Sequence, residues 1–406
     1  MATQTNSKTL RPVHPFPARM APSLLWRKLG RTLKPLRVLD PMSGSGTTAV
    51  VSRLRGHRAI GFDSDPLALL IARVWSSDVD PARVRRLAVR LVQGATKRSN
   101  ALPLRDSYPR RVDEETRAFL RYWFDASNRR QLAALALQIQ GVRNISERTL
   151  LWCAFSRLII TKQSGASLAM DVSHSRPHKV YETAPIKPLK HFLKAVEGVL
   201  RGTPFGGCSN GPKARIQKGD ARALPLRTGS IDLVITSPPY LNAIDYLRGH
   251  KLSLVWMGYR LRELRELRAG NIGTELVSME LIERHEYVRK AMVRMGQTEG
   301  LPNRVRGMLA RYVFDMDQVM SEISRVLKRK GEAILVVGDS TIRGVFVRNS
   351  WALAYLGRRH GLELESTRRR PLQENRRYLP PPQCKTSGTQ FRSRMREEVI
   401  LAFKKN

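Results

Sequence analysis

The chain has 406 residues, 42% of them apolar, which is enough for one large α/β domain with an insertion or for two domains. Its 72 Lys and Arg against 34 Asp and Glu leave a formal net charge of +38 and a pI near 11.2, far beyond what solubility requires. An excess of that size points to a polyanionic partner, nucleic acid first; an arginine-biased genome would explain Arg in place of Lys but not the shortage of acids. Three scattered cysteines, Cys153, Cys208 and Cys384, exclude a disulfide framework and a CxxC zinc pair, and imply a reducing compartment. No apolar run reaches ~18 residues and the N-terminus has no signal-peptide core. A soluble, cytoplasmic protein is expected, associated with the nucleoid if its source is bacterial.

Residues 1–12 are polar. A proline-stiffened segment, His14-Pro-Phe-Pro-Ala-Arg-Met20, leads into a helix expected from Pro22 to Leu33. Leu36-Arg-Val-Leu-Asp40 reads as a buried strand, and Pro41-Met-Ser-Gly-Ser-Gly-Thr-Thr48 as a glycine-rich turn opening a helix that runs through Arg55. Strand, turn and helix make a ligand cradle, because Gly44 and Gly46 let the backbone approach a ligand at the helix N-terminus. No Lys follows the last glycine, so this is not a Walker loop. A second strand, Arg58-Ala-Ile-Gly-Phe-Asp63, ends on an acid about 23 residues beyond Asp40, a position that binds ribose hydroxyls in doubly wound folds. The other reading of Asp63 is a solvated helix cap in Asp-Ser-Asp-Pro, a role that suits Asp65 before Pro66. A nucleoside site without a phosphate cradle points away from NAD and toward S-adenosylmethionine.

Residues 76–212 carry helical periodicity, with helices expected at Glu114–Phe124, Arg129–Gln140, Glu147–Ile160 and near Leu189–Leu200. An all-helical insertion of that length suits a lid or a substrate-reading unit. Within it, Thr161 to Lys179 is irregular and rich in donors: either a solvated connector or a loop whose Ser173, His174, Arg176 and Lys179 contact phosphate or bases. With no Cys or acid pair beside His174 and His178, no metal site is expected.

Ile231-Asp-Leu-Val-Ile-Thr-Ser-Pro-Pro-Tyr240 is the stretch around which the chain is organised. An apolar run of buried-strand type stops at Thr236-Ser237 before two prolines, which fix φ, offer no N–H and hold Tyr240 on a stiff arm. A rigid acceptor beside a flat ring suits a planar substrate amine, with Ser237 and a backbone carbonyl accepting from NH₂ while Tyr240 stacks on the heterocycle. An ordinary Pro-Pro turn is the plain alternative. Further on, Arg260 to Arg268 reads either as a basic patch or as a self-bridged exposed helix. A helix from Met308 to Leu327 is expected to end at Lys328-Arg-Lys-Gly331 before strand Ala333–Val337. Pro371 to Arg394 reads as a surface loop that approaches substrate.

Taken together, these motifs resemble the S-adenosylmethionine-dependent amino-methyltransferases of DNA. Leu39-Asp-Pro-Met-Ser-Gly-Ser-Gly-Thr-Thr48 is similar to their cofactor loop, with Met42 where Phe is usual, and Thr236-Ser-Pro-Pro-Tyr240 to their catalytic motif. His14-Pro-Phe-Pro17 looks like the segment that closes over the methionine end of the cofactor. Lys218-Gly-Asp-Ala221 looks like the turn near the adenine. Tyr246 to Gly258, Gly331 to Val337 and Arg396 to Phe403 resemble the helix and closing strands of the same fold. The resemblance covers residues 12–75 and 213–403, with the cofactor loop before the catalytic motif.

That resemblance implies an α/β fold: a doubly wound Rossmann-like methyltransferase sheet with a large helical insertion. Residues 1–75 and 213–406 would form the methyltransferase domain, and residues 76–212 a DNA-binding or target-recognition insertion. It implies S-adenosylmethionine as cofactor, held by His14, Phe16, Asp40, Pro41, Met42, Ser43, Gly44, Gly46, Thr47, Asp63, Ser64, Asp220 and Ala221. Catalysis would fall to Ser237, Pro238, Pro239 and Tyr240, on a base flipped out of a DNA duplex. In that family Ser before Pro-Pro-Tyr is most often found in enzymes acting on cytosine N4, and Asp or Asn in those acting on adenine N6, so Ser237 leans toward cytosine. An adenine target, an RNA base, a protein glutamine and an inactive nucleic-acid-binding module stay open as alternatives, though the net charge argues against a protein substrate.

Overall fold

The computed structural model describes residues 10–16, 19–30, 34–159, 164–170, 177–206, 211–240, 246–273, 280, 284–372 and 397–406. The strands are β1 (Arg37–Asp40), β2 (Arg58–Asp63), β3 (Ala169–Met170), β4 (His178–Lys179), β5 (Arg215–Lys218), β6 (Ile231–Thr236), β7 (Leu327–Val337), β8 (Ser340–Ile342), β9 (Val345–Val347), β10 (Leu362–Pro371) and β11 (Glu397–Lys405). Seven of them form one sheet in the order β10-β11-β7-β6-β1-β2-β5. β5, β2, β1, β6 and β7 run parallel, while β11 is antiparallel to both β7 and β10.

Alternation along the central strands sends side chains to both faces, as a sheet covered on two sides requires. Leu39, Val234 and Leu335 enter the core under the helix Asn303–Val326; Val38, Leu233, Ile235 and Val336 pack on the opposite face with Leu24, Leu25 and Leu29 of α1 (Pro22–Leu29). The next helices are α2 (Thr47–Leu54), which follows the glycine turn, and α3 (Pro66–Trp75), which follows β2.

The insertion holds α4 (Pro81–Ala101), α5 (Glu114–Trp123), α6 (Ala126–Gln140), α7 (Ile145–Ile159) and α8 (Pro188–Leu200). Their apolar faces share one core with Leu67, Ile71 and Trp75 of α3 and with Leu252 and Leu254 of α9 (Tyr246–Leu254). The last four helices match expectation within a few residues. α4, 21 residues long, lies in the stretch expected to be helical but is not among the helices named from it; its buried stripe is Val84, Ala88, Leu91, Ala95 and Ser99, three of them small residues.

Two expectations change. The insertion is not wholly helical, since β3 pairs antiparallel with β4 inside the stretch expected to be irregular. Ser173, His174 and Arg176 lie outside the described residues. The helix before Lys328-Arg-Lys-Gly331 ends at Val326, within one residue of expectation, but the strand begins at once rather than at Ala333: Leu327 already pairs with Ile231, and pairing resumes at Glu332 opposite Leu233. The intervening residues form an irregularity with Lys330 at φ 61, pinned by the Lys328 ammonium donating to Asp232 at 2.6 Å. The block from Arg260 is α10 (Leu261–Ala269), with Arg262 bridged to Glu266 on the same face and Arg265 to Glu115 of α5. That favours its reading as an ion-paired helix.

Candidate active site

β1 and β6 are parallel neighbours with Leu39 level with Val234, so the turn after Asp40 and the bend after Thr236 emerge side by side from one edge of the sheet. The chain winds outward from β1 to β2 and β5, then returns to β6 on the other side of β1. This is the topological switch point, where ligands bind in open α/β sheets.

The glycine turn is a close-packed loop. Ser43 N donates to Phe62 O and Gly46 N to Ser43 O, both at 2.8 Å. Gly44 and Gly46 have φ of 47° and 86°. A Cβ on Gly46 would lie 2.7 Å from the Ala72 methyl, so the turn and α3 can approach only because this residue is glycine. Gly44 faces the Phe16 ring at 3.5 Å from the position of a Cβ. Pro41 and Thr47 are buried, Met42 is partly buried, and the buried Ser43 hydroxyl has no hydrogen-bond partner among the described residues.

Two carboxyls line this edge. Burial pushes Asp40 up to about 6 against the pull of the Thr236 and Thr48 hydroxyls and the Met42 N–H. Asp63, half-buried at the end of β2, accepts from Gly44 N at 2.7 Å and Asp65 N at 2.9 Å. Burial, and next the charge of Asp65, push Asp63 up to about 7. Asp65 itself caps α3, accepting from Leu67 N and Ala68 N, and pairs with His250 Nδ1 of α9 at 2.5 Å. Burial opposes its ionisation, but His250 and the two N–H groups outweigh that and hold its pKa below the usual carboxylate range. The helix-cap reading thus belongs to Asp65, while Asp63 braces the glycine turn through Gly44 N and the start of α3 through Asp65 N. Phe16 stacks on Tyr246 with ring centroids 5.5 Å apart and lies 5.5 Å from His250, which fixes the N-terminal segment over the turn.

At the neighbouring bend the Ser237 hydroxyl donates to Val336 O of β7 at 2.9 Å. The Tyr240 hydroxyl lies 3.5 Å from Ser237 Oγ and donates to Glu398 Oε1 of β11 at 3.1 Å; the second Glu398 oxygen is paired with Arg370 of β10. Burial and the Glu398 carboxylate hold the Tyr240 phenol well above its ordinary pKa, so it is neutral. Pro238 is buried and Pro239 half-buried. Sequence reasoning missed Glu398 and Arg370. A buried acid at the start of an edge-proximal strand carries no motif, and β10 itself was not anticipated.

The other expected residues divide. Ser64 donates to Asn271 Oδ1 at 3.1 Å. Asp220 follows β5, where Gly219 N donates to Asp63 O at 3.1 Å; it is held by Arg222, whose guanidinium keeps its carboxyl below the usual range despite partial burial. Ala221 is buried beside it. His14 is turned to the insertion, its Nε2 3.1 Å from Ser156 Oγ of α7, and Ser156 in turn donates to Ser253 of α9. Lys179 sits in β4 with its ammonium 4.9 Å above the Tyr122 ring, within the insertion. Among the described residues no group of His, Cys, Asp or Glu is placed to hold a metal ion, and no helix is long and apolar enough to cross a membrane.

Five parallel strands, a switch point at β1 and β6, and an antiparallel β11 slotted between β7 and β10 make this a Rossmann-like methyltransferase sheet. The chain is similar to type II methyltransferases. It is 23% identical to M.MvaI of Kocuria varians, covering 88% of this chain and 83% of that protein, and 22% identical to M.AvaI of Nostoc sp., covering 81% and 73%. M.BsoBI of Geobacillus stearothermophilus is 22% identical over 73% of this chain and 60% of its own length. These relatives bear out the resemblance drawn from the motifs. Solved structures that align include a TehB-like SAM-dependent methyltransferase of Corynebacterium glutamicum (10% identical, TM-score 0.30, 95% of this chain and 87% of the other) and TTHA0409 of Thermus thermophilus (18% identical, TM-score 0.23, 46% and 50%). The fold assignment rests on the strand order. No protein-family model matches the chain.

Proposed function

We propose that this protein transfers the methyl group of S-adenosylmethionine to the exocyclic amine of a base in DNA, with cytosine N4 as the target atom. The observation that carries the reading is the Ser237 hydroxyl. Of its two acceptors, Val336 O at 2.9 Å is nearer than Tyr240 Oη at 3.5 Å and takes its proton, which leaves its lone pairs to accept from a substrate N–H.

S-adenosylmethionine fits the neighbouring turn by three features of this chain. The buried Ser43 hydroxyl lacks a partner, Asp63 keeps acceptor capacity on both oxygens beyond the two backbone N–H groups it holds, and Phe16 covers Gly44. Acids gathered at this one edge of a strongly basic protein also suit a cationic ligand. When bound, the cofactor supplies an activated sulfonium methyl group that an amine can take directly.

The protein's part is acceptance and orientation. A nucleobase amine has its lone pair drawn into the ring; acceptors on its N–H bonds, here Ser237 Oγ and the Pro238 carbonyl, favour the tetrahedral nitrogen that attacks. The Pro238-Pro239 bend fixes those acceptors, and Tyr240 presents a neutral ring for stacking. The amine proton leaves afterwards to water. A base inside a duplex cannot reach a site recessed at the sheet edge, so the target is flipped out. The type II relatives and the net charge of +38 support DNA, and Ser rather than Asp or Asn before Pro-Pro-Tyr supports cytosine. The test is the nucleoside content of DNA from cells expressing the protein. N4-methylcytosine is expected with the natural chain and lost in Ser237→Ala; N6-methyladenine alone would overturn the target atom.

A further inference from the structure

Thr236 pairs with Leu335, so β7 continues past the level of the Ser237 bend and delivers the β8–β9 hairpin to the same edge of the sheet as that bend. The hairpin turns through Arg343 and Gly344 at φ of 48° and 85°, and its strands pair Ser340 with Val347 and Ile342 with Val345. Asp339 anchors its base, accepting from Ser350 N at 2.8 Å and Ser350 Oγ at 2.9 Å, and Arg348 N donates to Met295 O at 2.9 Å. The scaffold is held firmly.

What it holds out is unusual. Phe346 is 46% exposed and Trp351, in the first turn of the helix Asn349–Arg359, is 55% exposed. The Arg348 guanidinium lies between them, 5.4 Å from the Phe346 ring and 5.1 Å from that of Trp351. No carboxylate pairs with Arg343 or Arg348 among the described residues. Partly exposed aromatic faces interleaved with arginines that carry no carboxylate partner leave both ring faces and positive charge available at one surface. They match a ligand that offers flat rings and phosphates together.

We infer that Phe346, Arg348 and Trp351 form a nucleic-acid contact surface beside the active site, the rings stacking on bases near the target and the arginines meeting the phosphates. This rests on the proposed DNA substrate. A duplex opened to release one base exposes unpaired base faces at that point, and two rings held by the hairpin and by the helix that follows it can cover them. The net charge favours nucleic acid over an apolar protein partner for the same patch.

The test is binding of a fluorescently labelled DNA duplex, fully paired or carrying an abasic site opposite one base, to the natural chain and to Phe346→Ala, Trp351→Ala and Arg348→Gln. S-adenosylmethionine affinity by calorimetry checks the fold. Each ring removal should weaken binding by about fivefold or more, most for the opened duplex, as expected for lost base stacking. Arg348→Gln should reduce the salt slope by about one unit, the signature of one phosphate contact. Cofactor affinity should not change. Duplex binding within twofold of the natural chain in all three variants would overturn this surface while leaving the DNA substrate standing. A natural chain that binds cofactor but no DNA would overturn both.

Discussion

The Tyr240 hydroxyl donates to Glu398 at 3.1 Å across 158 positions of sequence, and Glu398 in turn pairs with Arg370. The ring expected to stack on the substrate base is therefore oriented from the far side by two strands of the sheet, β11 and β10. Glu398→Ala removes the acceptor and leaves Arg370 unpaired. A loss of about 1–3 kcal/mol, the usual cost of stranding a buried polar partner, should appear as lower kcat with little change in KM for the cofactor. Glu398→Gln keeps an acceptor and should retain more activity. Steady-state kinetics with both variants check this; equal and full activity would show that Tyr240 needs no such anchor.

Asp63 should contribute to cofactor affinity. Asp63→Ala is expected to weaken S-adenosylmethionine binding by about 1.5–3 kcal/mol, the range for a hydrogen bond to a charged group. Calorimetry on the folded variant decides; an unchanged affinity would leave Asp63 as a brace for Gly44 and Asp65 alone.

Binding should also depend on pH with a definite sign. Asp40 at about 6 and Asp63 at about 7 are both raised above 3.8, so each stays protonated in the fold to higher pH than in the unfolded chain. Their contribution to the stability of the ligand-free protein is present at acid pH and is lost as pH rises through those values. A cationic ligand that hydrogen-bonds to carboxylate prefers the ionised form, so its binding should release protons and tighten as pH rises through 6 to 7. Titrations in buffers of different ionisation enthalpy measure the release, and Asp63→Asn should remove the larger part of it. Affinity that falls with rising pH would contradict the assignment of these carboxyls to the cofactor.

Gly46→Ala should destabilise the fold by about 1–3 kcal/mol, since the added methyl meets Ala72 at 2.7 Å and the residue sits at φ 86. Gly206→Ala, where nothing lies within 4 Å, should change stability by less than about 0.5 kcal/mol. Chemical denaturation of the two variants provides the comparison.

Much of the local geometry of the candidate site was legible because its signals are local. Asp40, Gly44, Gly46 and Asp63 sit at strand ends marked by apolar runs and glycine, and the two prolines after Ser237 announce a fixed bend. What escaped depends on long-range pairing. Glu398, Arg370 and the β8–β9 hairpin reach the site only through the register of β7, β11 and β10, which no spacing in the sequence reveals. The bounds of the long helix α4 went unnamed within a stretch read as helical, because alanine and serine are buried there without a strong apolar signal. The basic run Lys328 to Lys330 marked the helix end within one residue but hid the start of the strand, because Asp232 holds Lys328 in an irregular stretch of β7 that charge alone does not announce.

The central claim is amine methylation of a DNA base, and the most direct test combines purified protein, DNA and S-adenosylmethionine carrying an isotopically labelled methyl group, followed by digestion and mass spectrometry of the nucleosides. The account predicts label in N4-methylcytosine, abolished by Ser237→Ala and by Tyr240→Ala. Label on a ring carbon, or on no nucleoside while the cofactor is bound, would contradict it.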